Sequence, residues 1–146
     1  MKRWRKLFTV SLAVLLLFSS VAMISAEEIK QEQSTLLLVP LDDRPANVYF
    51  PQKVGASAGI EVIPPPKEMT GKFTQPGNGD EISKWQVENG DQADGFVIST
   101  SMLAYGGLVA SRIGVKSLEE ATKDIQVIKE LKKLYPEKPV YIFDTI

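Results

Sequence analysis

The sequence predicts an α/β fold made of repeated strand–helix units around a parallel sheet. Three observations carry this expectation. Strand-length segments recur at residues 35–41, 60–63, 95–100 and 139–145, with helical or loop sequence between them. The first of them, TLLLVPL, is apolar throughout rather than alternating, as a strand covered on both faces would be. No tight hairpin joins one segment to the next, so each connection has room for a right-handed crossover. Four such units are half of an eight-unit barrel and most of an open doubly wound sheet, and the pattern fits both. The final PVYIFDTI reads as a buried strand at the end of the chain. Residues 35–146 are therefore expected to be the amino-terminal part of an incomplete α/β domain.

Lys2, Arg3, Arg5 and Lys6 precede a charge-free run, residues 7–26, that ends in Ser25-Ala26. This is the layout of a signal peptide over residues 1–26. A run of this length is also close to what an uncleaved membrane anchor needs. The expected location is extracytoplasmic, with any membrane contact made only through this segment. Residues 27–34, EEIKQEQS, are polar and unpatterned and read as a linker. The 146-residue chain carries 17 basic and 18 acidic residues. Without the leader, 13 basic residues face 18 acidic ones, a net charge of −5. That balance argues against a nucleic-acid partner, whose phosphates need a basic face.

After the first strand, VYFPQKVGASAG suggests a helix despite Pro51 and Gly55. Residues 60–63, IEVI, form a strand that Pro64, Pro65 and Pro66 stop. Residues 67–79 read as a long loop. Asn78 and Glu81 have capping-box spacing, so a helix should start near Asp80, carry Ile82, Trp85 and Val87, and end near Gly90. Strand 95–100 follows. SMLAYGGLVASRIGV is expected to be a second long loop with a short helix inside it. Ser117 and Glu120 form a second capping box. The helix behind it should set Leu118, Ala121, Ile125, Ile128, Leu131 and Leu134 on one face, and Tyr135-Pro136 should end it.

In either α/β architecture, ligands bind at the carboxyl ends of the strands. The first strand delivers Asp42, Asp43 and Arg44 to that edge. The second delivers Lys67 and Glu68, the third Ser99, Thr100, Ser101 and Tyr105, and the fourth Asp144 and Thr145. Asp42 and Asp43 are adjacent, so in extended backbone they point to opposite sides. One is expected in the cleft and the other in the turn. Arg44, extended by Pro45, suits bidentate capture of a carboxylate, phosphate or sugar hydroxyl, or else a structural ion pair. Tyr105, Gly106 and Gly107 suggest a turn that brings backbone N–H groups near a ligand, and Arg112 a charge returned to the site. An ordinary tight turn and a solvated arginine are the plainer alternatives.

The chain has neither His nor Cys. A Ser-His-Asp triad, thiolate metal sites and disulfides are therefore excluded, and the residues give no reason to expect zinc. No dinucleotide or phosphate-loop motif is present, so no cofactor is expected. Asp42, Asp43, Glu68 and Asp144 offer a magnesium or calcium site as a minor alternative, but they have no calcium-loop pattern and no metal is expected.

The pair LVPLDDRPAN and SMLAYGGLVASR resembles the amino-terminal part of a bacterial domain-of-unknown-function family, number four-one-two-seven. Asp42, Asp43, Arg44, Pro45, Asn47, Tyr105, Gly106, Gly107, Ser111 and Arg112 match its motifs. Members similar to this chain often carry Asp where Ser101 stands. The resemblance implies a longer protein and supplies no reaction. From the residues, the expected function is a hydrolase of a carbohydrate or cell-wall-related substrate. Asp42 and Asp43 would be its catalytic carboxylates, with Arg44, Asn47, Tyr105, Gly106, Gly107 and Arg112 as substrate-binding residues. The alternative is a non-catalytic extracytoplasmic binding protein for a sugar or anionic ligand. A third possibility makes both motifs determinants of the fold alone.

Overall fold

A computed structural model describes residues 33–113 and 116–145. The expected leader (1–26), most of the linker (27–34) and the anchor alternative lie outside the described residues. Among the described residues, no helix is long and apolar enough to cross a membrane.

Four strands form one sheet: β1 (Ser34–Val39), β2 (Ile60–Ile63), β3 (Gly95–Ser99) and β4 (Val140–Phe143). All three pairings are parallel, in the order β2-β1-β3-β4. A barrel would pair the strands in chain order. Here β1 is flanked by β2 and β3, so the sheet is of the open doubly wound kind, with its order reversing at β1. β1 ends at Val39 because Pro40 has no N–H for the ladder.

Between β1 and β2 lies α1 (Tyr49–Ser57). Gly55 lets it sit close on the sheet, since a Cβ there would stand 2.5 Å from the Val62 side chain. Between β2 and β3 come a 3₁₀ turn (Lys67–Thr70) and α2 (Gly79–Asn89). Asn78 caps α2, accepting from the Glu81 N–H at 3.2 Å. Ile82 and Trp85 face the core as expected, while Val87 is only partly buried.

The expected loop after β3 holds two helices, not one: α3 (Thr100–Tyr105) and α4 (Leu108–Ile113). Gly106 and Gly107, at φ 83° and 124°, separate them. The single long helix expected from Leu118 to Leu134 is also two. After the Ser117–Glu120 capping box, α5 spans Leu118–Asp124 and α6 Val127–Leu134. The turn at Ile125-Gln126 shifts the helical phase. Val127, outside the expected stripe, is buried, whereas Leu118 is 84% exposed and Leu134 is also exposed.

The core lies on one side of the sheet. Leu37 and Val39 from β1, and Phe96 and Ile98 from β3, meet Ile82 and Trp85 of α2, Met102 and Leu103 of α3, and Val127 and Leu131 of α6. Side chains alternate along a strand, so Val62 and Leu36 face the other side, where α1 packs. Burying one large apolar side chain is worth about 1.5–3 kcal/mol. This cluster therefore holds α2, α3 and α6 to the sheet and fixes where the strand ends emerge.

Candidate functional site

The two sequence motifs meet at the carboxyl edge between β1 and β3. A Cβ on Gly107 would lie 3.2 Å from the Leu41 carbonyl oxygen and 3.8 Å from Asp42 Cβ. Only a residue without a side chain lets the α3–α4 turn press on the segment leaving β1. The loop after β2 joins them. The Gly77 N–H donates to the Gly106 carbonyl at 2.8 Å, and the Phe73 N–H donates to Asp43 Oδ1 at 3.3 Å.

Asp42 and Asp43 divide the two roles expected of them. Asp42 takes the turn. Its Oδ2 accepts from Arg44 Nε at 2.8 Å and pairs with the second Arg44 guanidinium nitrogen at 2.6 Å. Its Oδ1 accepts from the Arg44 N–H at 3.1 Å and from Asn47 Nδ2 at 2.5 Å. Burial works to raise the Asp42 pKa. The hydrogen bonds from Arg44 and Asn47, with the Arg44 charge, outweigh it and hold the carboxyl below its ordinary value. Arg44 and Asn47, expected to contact substrate, are thus joined to Asp42 in one closed network. The ion pair in the turn falls on Asp42, not on Asp43.

Asp43 has the opposite character. Among the described residues its carboxylate holds only the long contact from Phe73. It lines a cavity of about 350 Å³ with Tyr49, Lys67, Thr70 and the rings of Pro45, Pro64 and Pro65. Lys67 reaches this cavity from the 3₁₀ turn, while its neighbour Glu68 is exposed. Tyr49 belongs to α1, and periodicity alone gives no reason to assign it to a site.

The glycine pair caps α3. Gly106 is left-handed, and its N–H donates to the Met102 carbonyl at 2.9 Å, while the Gly107 N–H donates to the Ser101 carbonyl at 3.1 Å. Backbone donation to a ligand was the role expected here. Both N–H groups are instead engaged within the protein, and α4 is only one and a half turns long. Tyr105 does not line the Asp43 cavity; it borders two others, one with Thr74, Pro76 and Gly77 and one with Thr100 and Asp144.

The ends of β3 and β4 form a second polar group. Ser99 caps α3, accepting from the Met102 N–H at 3.4 Å. The Ser101 hydroxyl donates to Asp144 Oδ1 across the β3–β4 pair, and the Thr145 N–H donates to the same oxygen at 2.8 Å. Burial would raise the Asp144 pKa. Hydrogen bonds from Ser101 and Thr145, the nearby Thr100 hydroxyl and the Arg112 charge together lower it. The Ser101–Asp144 contact needs residues 43 apart in sequence, and only the β3–β4 register predicts it.

Among the described residues, no three acidic side chains converge as a metal site would require. The arrangement offers ionised carboxylates, hydroxyls and one lysine at a shared edge.

Residues 36–146 match the model of a family described as a protein of unknown function (DUF4127), and the chain belongs to that family. The matched span contains both motifs. Searches among curated proteins and among solved structures gave no match.

Proposed function

We propose that this chain binds a small polyhydroxylated ligand, a sugar or the end of a glycan, at the Asp43 cavity and outside the cytoplasm. The observation that carries the reading is the contrast between the two aspartates. Asp42 is saturated inside its own turn, whereas Asp43 keeps acceptor positions open beside a cavity. The lining suits an amphipathic ligand. Three proline rings and Tyr49 offer apolar surface to the C–H face of a sugar, and Asp43, Lys67 and Thr70 offer partners to its hydroxyls. Export is supported by the basic start, the charge-free run and Ala26.

The test is a thermal-shift and calorimetric screen against soluble oligosaccharides of cell-wall and storage glycans, with reducing ends assayed in parallel. Wild type should be stabilised by one glycan class, and Asp43→Asn should lose that response. If no glycan raises the melting temperature, the reading fails.

A carbohydrate hydrolase is the second reading. Glycoside cleavage uses two carboxylates about 5–9.5 Å apart. Among the described residues, Asp43 is the one carboxylate lining its cavity. In favour of this reading, Asp144 stands ionised on the same edge. New reducing ends that vanish in Asp43→Asn would establish it. Full turnover in both Asp42→Asn and Asp43→Asn would remove it.

A further inference from the structure

The loop between β2 and α2 carries one strained residue. Lys72 and Gln75 exchange two backbone hydrogen bonds, at 3.0 and 2.9 Å, and close a two-residue hairpin turn over Phe73 and Thr74. Phe73 stands at φ 51°, and among the described residues no other non-glycine has a positive φ. The positive φ thus falls on the first central residue alone, the position that type II′ turns give to glycine. A bulky side chain there is a backbone outlier and costs free energy. The flanks lock the turn in place. Gly71, at φ 71°, comes so close that a Cβ on it would lie 2.4 Å from the Gln75 carbonyl oxygen. The Asn78 N–H donates to the Met69 carbonyl and the Gly77 N–H to the Gly106 carbonyl, both at 2.8 Å.

What the strained turn achieves is an exposed aromatic ring beside Asp43. The Phe73 N–H donates to Asp43 Oδ1 at 3.3 Å, so the side chain leaves the backbone next to that carboxylate. Phe73 is 76% exposed, and packing in the core does not account for it. Nor does it belong to the wall of the Asp43 cavity. The ring is therefore offered to something that extends past the cavity rather than to what fills it. Its neighbours Lys72, Thr74 and Gln75 are polar and exposed. A protein-binding patch needs contiguous apolar surface. One flat ring among polar side chains suits a flat apolar face with polar edges, which is what the C–H face of a pyranose presents.

We propose that Phe73 is the stacking platform for a second sugar unit, so that the Asp43 site takes an oligosaccharide, with one unit in the cavity and the next against the Phe73 ring. This rests on the reading of the Asp43 cavity as a sugar site and adds chain length to it. The hydrogen bond from the Phe73 N–H to Asp43 ties the platform to the cavity and sets the spacing of the two units. The strain at Phe73 then has a use: glycine would relax the turn and remove the platform.

The experiment is a chemical-shift titration of the full chain with cellotetraose, maltotetraose and chitotetraose, each beside its own monosaccharide, glucose or N-acetylglucosamine, with urea unfolding of the same proteins. At least one tetraose should bind wild type about tenfold more tightly than its monosaccharide. Phe73→Gly, which suits the positive φ, should raise the urea midpoint and yet bring that ratio below about twofold. Phe73→Tyr, which keeps the ring, should retain the ratio. A gain in stability with a loss of binding separates a ligand-facing role from a structural one. A wild-type ratio near one, a ratio unchanged in Phe73→Gly, a ratio lost in Phe73→Tyr, or a lower urea midpoint in Phe73→Gly would each overturn the platform while the Asp43 site stands. If none of these sugars binds wild type, the platform and the sugar reading of the cavity fall together.

Discussion

The exits of β1 and β4 place the same residue type on the same edge of one sheet and treat it differently. At β1, both oxygens of Asp42 are engaged by Arg44 and Asn47, all within a span of six residues. At β4, Asp144 has one oxygen engaged, by the Ser101 hydroxyl in the first turn of α3 and by the Thr145 N–H, and among the described residues the other accepts no hydrogen bond. Both carboxyls are held below their ordinary pKa. The difference teaches that a strand-end position tells where a carboxylate stands, while its remaining hydrogen-bond capacity tells what it is for. A carboxylate closed by its own turn stabilises the turn. One closed on a single side can still meet a ligand.

The sharpest way to break this contrast is to attack the β1 exit from outside. Gly107→Ala would place a Cβ 3.2 Å from the Leu41 carbonyl oxygen at a φ of 124°. It should cost about 3 kcal/mol, read as a lower urea midpoint. Asp42→Ala comes next. It leaves a guanidinium, an N–H and an amide without their acceptor, and should cost about 2 kcal/mol of unfolding free energy.

The same variant carries a pH signature. A carboxyl whose folded pKa is depressed stabilises the fold fully above its unfolded value of about 3.9, and that contribution is lost as pH falls through the lower folded value. Wild type should therefore lose stability below about pH 4 more steeply than Asp42→Ala, in urea unfolding followed from pH 6 to pH 2. Ser101→Ala should cost about 1 kcal/mol, since it removes one hydrogen bond at the β4 exit and Thr145 remains. Asp43→Asn should change stability by less than about 0.5 kcal/mol, because its carboxylate holds one long contact. A loss above about 2 kcal/mol from Asp43→Asn would make Asp43 a structural residue and end its contrast with Asp42.

Much of the fold was legible because local rules agree with the packing. The capping spacings at Asn78 and Ser117 mark the starts of α2 and α5. The proline run after Ile63 stops β2 where it should. The strand order was not legible. The same apolar runs serve a barrel or an open sheet, and only the pairing of β1 with both β2 and β3 separates them. The break at Ile125-Gln126 was hidden as well, since one turn of shifted phase leaves the three-and-four spacing of apolar residues almost unchanged. At the site, adjacency correctly implied that Asp42 and Asp43 would part company. Which one turned inward depended on Asn47 and on Phe73, a residue in a loop without periodicity. The Ser101–Asp144 bond lay beyond any local rule, because it joins the segments that leave two neighbouring strands, 43 residues apart.

The central position of β1 also bears on how the chain is made. Leu36 pairs with Val62 on one side and with Gly95 on the other. β1 is thus synthesised well before β3, the second of its two neighbours. At about 5–20 residues per second, the roughly 60 residues up to β3 take about 3–12 s to appear. During that interval Leu36, Leu37 and Leu38 form an apolar ribbon with one of its edges unclaimed. Until β3 is made, a holding chaperone would find its target in the same three leucines.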